Sequence, residues 1–181
     1  MEEVARRAGV GIGTVYRRFP DKEALIDAVF EDALRDLVAI VRQALDEPDA
    51  WRGFCAYLER VMALNANNRA LHAVLGSQEH GRGRLDAIRA RMRPLTRKLI
   101  ERAHEQGTLR ADFSPGDLPL VFAAAGRVVE LTQAADPDVW RRFLALLLDG
   151  LRAEGATPLP HPALRPSQIS RLGLHRARRS T

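Results

Sequence analysis

Hydroxyl-bearing and cationic side chains are concentrated between two turns near the start of the chain. Residues 8–22 read AGVGIGTVYRRFPDK, with Thr14, Tyr16, Arg17 and Arg18 following closely spaced glycines. Hydroxyl and ammonium groups suit phosphate oxygens, and a guanidinium can pair bidentately with guanine. The residue types therefore indicate contact with a nucleic acid.

The same segment is typical of two short helices joined by a tight turn. The second helix carries the hydroxyl and cationic side chains, Pro20 stops it, and a new helix begins at Asp21. Such a helix-turn-helix seats its second helix in the major groove of DNA. The residues predicted to face inward are Val4, Ala8, Val10, Val15 and Phe19.

The outward positions of the second helix form the predicted DNA-binding surface. Arg17 could read guanine, a contact worth about 1–3 kcal/mol of discrimination. Thr14, Tyr16 and Lys22 suit phosphate oxygens, which set register without reading sequence. Gly11 and Gly13 cost helix stability, about 1 kcal/mol each relative to alanine, but would let the backbone approach the duplex.

The positive charge is concentrated at the two ends of the chain. The formal net charge is +5, yet residues 155–181 hold five arginines and no acidic residue, so the rest is neutral, with 23 basic and 23 acidic residues. Within residues 1–22, five basic side chains face three acidic ones. That local excess is what phosphate contact requires. The basic tail either adds nonspecific attraction for phosphate or is an inert terminus.

Composition indicates a soluble globular chain. Of its 181 residues 46% are hydrophobic and 28% charged. The single cysteine, Cys55, excludes an intrachain disulfide and favours a reducing compartment. Glu2 and Glu3 follow Met1 directly, so no leader is expected, and no apolar run approaches the length of a membrane span. We therefore expect a cytoplasmic protein without membrane contact.

Helical periodicity extends through almost all of the chain before residue 155. Apolar residues at three- and four-residue spacing predict a long linking helix at 22–45, capped by Asp21, and a second helix at about 50–64. Pro94 lies inside a later helix and should kink it. The remaining predicted helices are a short segment at 70–75, a long helix ending at Gly107, and two last helices at 115–133 and 136–152.

The two last predicted helices are apolar on more than one face. A helix of this kind needs partners on more than one side. In a chain of this length the missing partner is expected to be a second copy, because symmetric dimers are common. The alternative is that both helices are buried within a single bundle.

The string AGVGIGTVYRRFPDKEAL at residues 8–25 resembles the DNA-binding signature of TetR-type transcriptional regulators. The resemblance implies that Thr14, Tyr16 and Lys22 hold the DNA backbone. It also places Ile12, Gly13, Arg17 and Arg18 on or beside the groove-facing surface, although periodicity alone could put Ile12 in the core. The resulting DNA-binding set is Gly11, Ile12, Gly13, Thr14, Tyr16, Arg17, Arg18 and Lys22.

The resemblance also implies an architecture and a function. The expected fold is all-α, with a helix-turn-helix domain at 1–22 that continues into the linking helix. A helical-bundle domain for ligand binding and dimerisation follows at 46–154, and a disordered basic tail occupies 155–181. The implied function is a homodimeric, ligand-responsive repressor of a palindromic operator in double-stranded DNA.

An unknown small molecule is expected to bind among the helices that follow the DNA-binding unit. Ordinary core packing is the alternative for each residue that could line such a pocket, and Arg127 could simply pair with Glu130. The pocket candidates are Trp51, Phe54, Tyr57, Met62, His72, Met92, Phe122 and Arg127.

The family has a helix before the one that begins here at Met1, and that helix covers the inner faces of the DNA-binding pair. We expect the true start to lie upstream. Without a cover, Val4, Val10, Val15 and Phe19 should be partly exposed, at about 1.5–3 kcal/mol for each large side chain. The rival function is therefore an all-helical small-molecule-binding or interaction protein that does not bind DNA as this chain.

No motif for catalysis, a cofactor or a metal is present in the sequence. Glu101 and His104 have the Glu-x-x-His spacing that supplies half of the ligands of a bundle metal site, but the sequence has no second copy of this motif. His72 and His80 lack ligand spacing, and Cys55 lies among apolar neighbours, as a packing residue does. We expect neither an enzyme nor a bound cofactor.

Overall fold

The computed structural model describes residues 1–67 and 81–169, all of it helical apart from turns, loops and one isolated bridge between Leu109 and Arg152. The predicted all-α class is confirmed. Within these residues the helices are α1 (Glu2–Ala8), α2 (Ile12–Arg18), α3 (Lys22–Asp46), α4 (Ala50–Asn67), α5 (Gly81–Glu105), α6 (Leu118–Thr132), α7 (Val139–Leu151) and α8 (Pro166–Ile169).

The chain divides into two compact units, Met1–Asp36 and Leu37–Thr181, so the division falls inside α3. The sequence predicted a boundary at the end of this helix instead. Val41 and Ala44, in its last turns, are buried at 0% and 3% exposure. Those turns therefore belong to the hydrophobic core of the second unit. Because residues of both units lie on one continuous helix, the spacing of its apolar residues does not mark the boundary.

The first unit is built on a narrow core. Gly9 ends α1 in the left-handed conformation, with φ of 67°, and its N–H donates to the carbonyl of Arg6 at 3.3 Å. Asp21 caps α3 as predicted, because its Oδ1 accepts a hydrogen bond of 2.8 Å from the N–H of Ala24. The buried residues are Ala5, Val15, Ile26, Phe30 and Ala33.

The residues predicted to face inward from α1 are not covered in the described structure. Val4 and Val10 are 40% and 42% exposed, and Ala8 is exposed as well. Ala5 is the one buried residue of α1. The expected partial exposure of Val4, Val10 and Phe19 is observed, whereas Val15 is buried.

The second unit is organised around α4, which packs against α5, α6 and α7. Its apolar side is buried, and its aromatic rings contact one another and the neighbouring elements. Phe54 lies 6.0 Å from Trp51 and meets Phe113 edge-on at 5.7 Å. Tyr57 meets Phe122 edge-on at 5.9 Å. The core of the second unit is therefore aromatic at this point.

The end of α5 binds the connection between α3 and α4. Arg102 donates hydrogen bonds to the carbonyls of Leu45 and Glu47, the latter at 2.8 Å. Gln106 accepts from the N–H of Ala50 at 2.8 Å and donates to the carbonyl of Pro48 at 3.1 Å. The connection therefore has its polar backbone groups satisfied by side chains of α5.

The long helix α5 is continuous across Pro94, and its loop at Gly107 has φ of 64°, in agreement with the predicted stop. The hydroxyl of Thr96 donates to the carbonyls of Met92 and Arg93, at 3.1 and 3.2 Å. A kink at Pro94 stays a prediction. The predicted helix at 70–75 lies outside the described residues.

The described part of the predicted disordered tail is hydrogen-bonded to the loop that follows α5. Arg110 donates to the carbonyl of Thr157, and Asp112 accepts a 2.9 Å hydrogen bond from the N–H of Leu159. Arg110 also pairs with Asp112 at 2.6 Å, and this pairing holds the pKa of the Asp112 carboxyl at about 2. Composition does not reveal such hydrogen bonds to a distant loop, and the predicted disorder of the tail stays a prediction.

Candidate nucleic-acid interface

Helix α2 presents a nearly continuous polar surface over a single buried anchor. Gly11 precedes it with φ of −66° and ψ of 145°, and its carbonyl accepts a 2.9 Å hydrogen bond from Thr14 N–H. Val15 is 6% exposed and is the one buried residue of the helix. The remaining positions of α2 therefore face away from the core.

Each residue of the predicted DNA-binding set is exposed. Tyr16 is 49% exposed and Ile12 is 40% exposed. Periodicity had left Ile12 either in the core or on the surface, and the structure places it on the surface. The other exposed members of the set are Gly11, Gly13, Thr14, Arg17, Arg18 and Lys22.

Gly11 and Gly13 have open space in front of them. A Cβ atom built at either position meets nothing within 4 Å, and neither glycine has a positive φ. The packing of the first unit therefore does not require glycine at either position. Gly9 differs, because its φ of 67° is a backbone conformation that favours glycine. Close approach of an external surface is a physical reason for the absence of side chains at these two positions, which lie on either side of Ile12.

The cations of α1, α2 and the start of α3 fall into two groups. Among the described residues, Arg17 and Lys22 have no ion-pair partner, and Arg18 lies 5.9 Å from the ring of Phe19. On α1, Glu3 binds both Arg6 and Arg7, at 2.6 and 2.7 Å. These hydrogen bonds lower the pKa of Glu3 to about 2. Sequence analysis missed this cluster, although its spacing of three and four residues is the signal.

Most of the pocket candidates lie in the core of the second unit. Arg127 is exposed and donates a 2.8 Å hydrogen bond to Glu130, which is the alternative that the sequence left open, and its role as a polar anchor stays a prediction. His72 lies outside the described residues. Phe122 is half-buried, and the buried candidates are Trp51, Phe54, Tyr57, Met62 and Met92.

The remaining chemically active side chains have structural surroundings. The Nε2 atom of His104 lies 3.0 Å from the carbonyl oxygen of Arg110. Burial raises the pKa of Cys55 to about 11, so the thiol stays protonated at neutral pH. In the described ranges, no three His, Cys, Asp or Glu residues converge as metal ligands. None of the described helices is both long and apolar enough to cross a bilayer.

Two family models match the chain, one over each unit. Residues 1–29 match the model described as bacterial regulatory proteins of the tetR family, and residues 48–153 match the model of the SbtR-like transcriptional regulator C-terminal domain. A crystal structure of a TetR transcriptional regulator from Streptomyces coelicolor is similar, with 30% sequence identity and a TM-score of 0.61, over 83% of this chain and 86% of that one. No curated protein matches.

An exposed helix-turn-helix followed by an all-helical domain defines a DNA-binding transcriptional regulator. Both family models and the similar structure agree with that class. The chain belongs to the TetR family of transcriptional regulators.

Proposed function

We propose that the protein is a homodimeric repressor that binds a palindromic operator and leaves it when a small molecule binds its second unit. The observation that supports DNA recognition most directly is the surface of α2. Tyr16 and Arg17 are exposed there beside the open space at Gly11 and Gly13. Repressors of this kind act in the cytoplasm, on two half-sites about 34–36 Å apart.

Salt dependence tests the proposed DNA binding. Duplexes from the promoter region of the protein's own gene are titrated with the whole chain at several salt concentrations. We expect one duplex to be preferred, and the logarithm of affinity to fall linearly with the logarithm of salt concentration, by about 0.9 for each phosphate contacted. A matched chain that ends at residue 169 removes four tail arginines and should keep the preference.

The rival function makes the opposite prediction. An interaction protein that does not read DNA would lose duplex binding when the tail is removed, yet keep it when Tyr16 and Lys22 are replaced with alanine. The same result would contradict the proposed repressor. Equal affinity for every duplex in the promoter region at low salt would contradict it as well.

The proposed dimer interface lies on α6 and α7. These helices pack against each other and against α4, yet Leu131 and Leu146 are each 64% exposed and Leu120 is 42% exposed. Several neighbouring apolar residues are only half-buried. Large apolar side chains left in water on adjacent helices support association of a second copy, which would bury them.

Replacing Leu131 and Leu146 together with aspartate should convert the dimer to a monomer. Burying four carboxylates at a symmetric apolar interface is costly, so we expect the dissociation constant to rise by at least about 100-fold. Sedimentation equilibrium measures the change. The control is Leu159→Asp, because Leu159 is also apolar and 45% exposed but lies outside both helices. An unchanged dimer in the double variant would contradict this interface.

The proposed ligand response depends on the aromatic core of the second unit. Because Arg127 pairs with Glu130 on the surface, the described pocket candidates are apolar or aromatic, which favours an apolar or aromatic effector. The lever would be α3, since it is continuous from the first unit into the second. Coupling between effector and operator is expected to be about 1–3 kcal/mol, typical of allosteric proteins.

A further inference from the structure

The carboxylate of Glu3 holds two arginines at once on helix α1. Arg6 donates to it through both Nε, at 2.8 Å, and Nη2, at 2.6 Å. Arg7 donates through Nε at 2.7 Å. All three side chains are largely exposed, with side-chain exposures of 55% for Glu3, 72% for Arg6 and 76% for Arg7. The cluster therefore lies on the solvent side of the helix.

This arrangement occupies the groups with which an arginine binds phosphate. Bidentate recognition uses two parallel N–H donors, and one such edge of Arg6 is already bound to Glu3. The Nε donor of Arg7 is occupied as well. The cluster carries a net charge of +1, although it contains two guanidinium groups.

The position of the cluster brings it to the DNA side of the proposed complex. Helix α1 is the first helix of the helix-turn-helix, and in this motif the first helix crosses the phosphate backbone while the second lies in the groove. Arg6 and Arg7 occupy the last turn of α1, immediately before the turn that leads to α2. Phosphate and Glu3 therefore compete for the same donors.

We propose that Glu3 attenuates operator binding by engaging Arg6 and Arg7 as an intramolecular substitute for phosphate. The proposal rests on the DNA binding proposed above. Because a surface ion pair is worth little, the arrangement lowers affinity without preventing it. The engagement of Arg6 and Arg7 by Glu3 leaves sequence recognition to α2 and keeps the nonspecific attraction of α1 to the DNA phosphates low.

The test replaces Glu3 with glutamine and compares it with Glu2→Gln. Glu2 is equally exposed, lies in the same first turn, and has no ion-pair partner among the described residues. Both variants lose one negative charge, but only Glu3→Gln releases arginines. Operator binding is measured from 50 to 200 mM salt, and circular dichroism confirms that the variants fold.

We expect Glu3→Gln to tighten binding at 50 mM salt by up to about fivefold for each guanidinium, the most that an exposed ion pair can withhold, and to steepen the salt slope by at most about 0.9 per contact. Glu2→Gln should leave the slope unchanged. When Glu3 is present, replacing Arg6 and Arg7 with glutamine should change the operator affinity little. In the Glu3→Gln variant, the same two replacements should abolish the whole gain in affinity.

Two results would overturn the inference. Equal slopes for Glu3→Gln and the unchanged chain would show that the arginines gain no phosphate. Weaker binding of Glu3→Gln would show that Glu3 positions the arginines instead of competing for them. If the unchanged chain prefers no duplex, it is the proposed DNA binding that fails.

Discussion

Replacing Arg17 with alanine should weaken operator binding by about 1–3 kcal/mol at each half-site and relax the preference for the base that it reads. In a dimer the loss occurs twice, so the affinity should fall by at least about 30-fold. The physical reason is that Arg17 is exposed on α2 with no ion-pair partner among the described residues, so its donors are available to a base edge. Titration against the preferred duplex and against variants with one base pair changed measures both effects.

Two control variants separate reading of sequence from attraction to the backbone. Lys22→Gln should weaken binding to all duplexes alike and reduce the salt slope by about one for each protomer. Arg127→Gln removes a cation that pairs with Glu130 in the second unit, and binding should not change. If Arg17→Ala weakened all duplexes equally and changed the salt slope, Arg17 would be a phosphate contact and the assignment of base reading would be wrong.

Replacing Phe54 with alanine should destabilise the second unit by about 3–5 kcal/mol. Phe54 is 0% exposed and lies between the rings of Trp51 and Phe113, so truncation leaves a cavity that neither neighbour can fill without moving. Because domains are stable by only about 5–15 kcal/mol, this change removes a large fraction of the total. Urea unfolding followed by tryptophan fluorescence measures the loss.

The matched control for this core is Leu159→Ala. Leu159 is 45% exposed, so its truncation should change the free energy of unfolding by less than about 1 kcal/mol. Equal stability of the Phe54→Ala variant and the unchanged chain would contradict the close packing of the aromatic core. It would favour a site in which Phe54 borders a space that a ligand occupies.

Local patterns in the sequence were sufficient for α1 to α7 and for the outward face of α2, but they did not predict α8. These features depend on residues that lie close together in the chain, so they can be predicted from local sequence. Examples are the cap at Asp21, the helix end at Gly107 and the burial of Val15. The predicted last helices, at 115–133 and 136–152, each begin three residues before α6 and α7 do. Such differences are expected where turns precede a helix.

Tertiary structure alone decided features that join residues distant in the chain. Arg102 binds the connection after α3 from more than 50 residues away, and Arg110 binds Thr157 across 47 residues. It also left Val4 and Val10 exposed, whereas Ala5 is the one buried residue of α1. Periodicity records which residues share a helix face, whereas the choice of what covers that face depends on the packing of the folded chain.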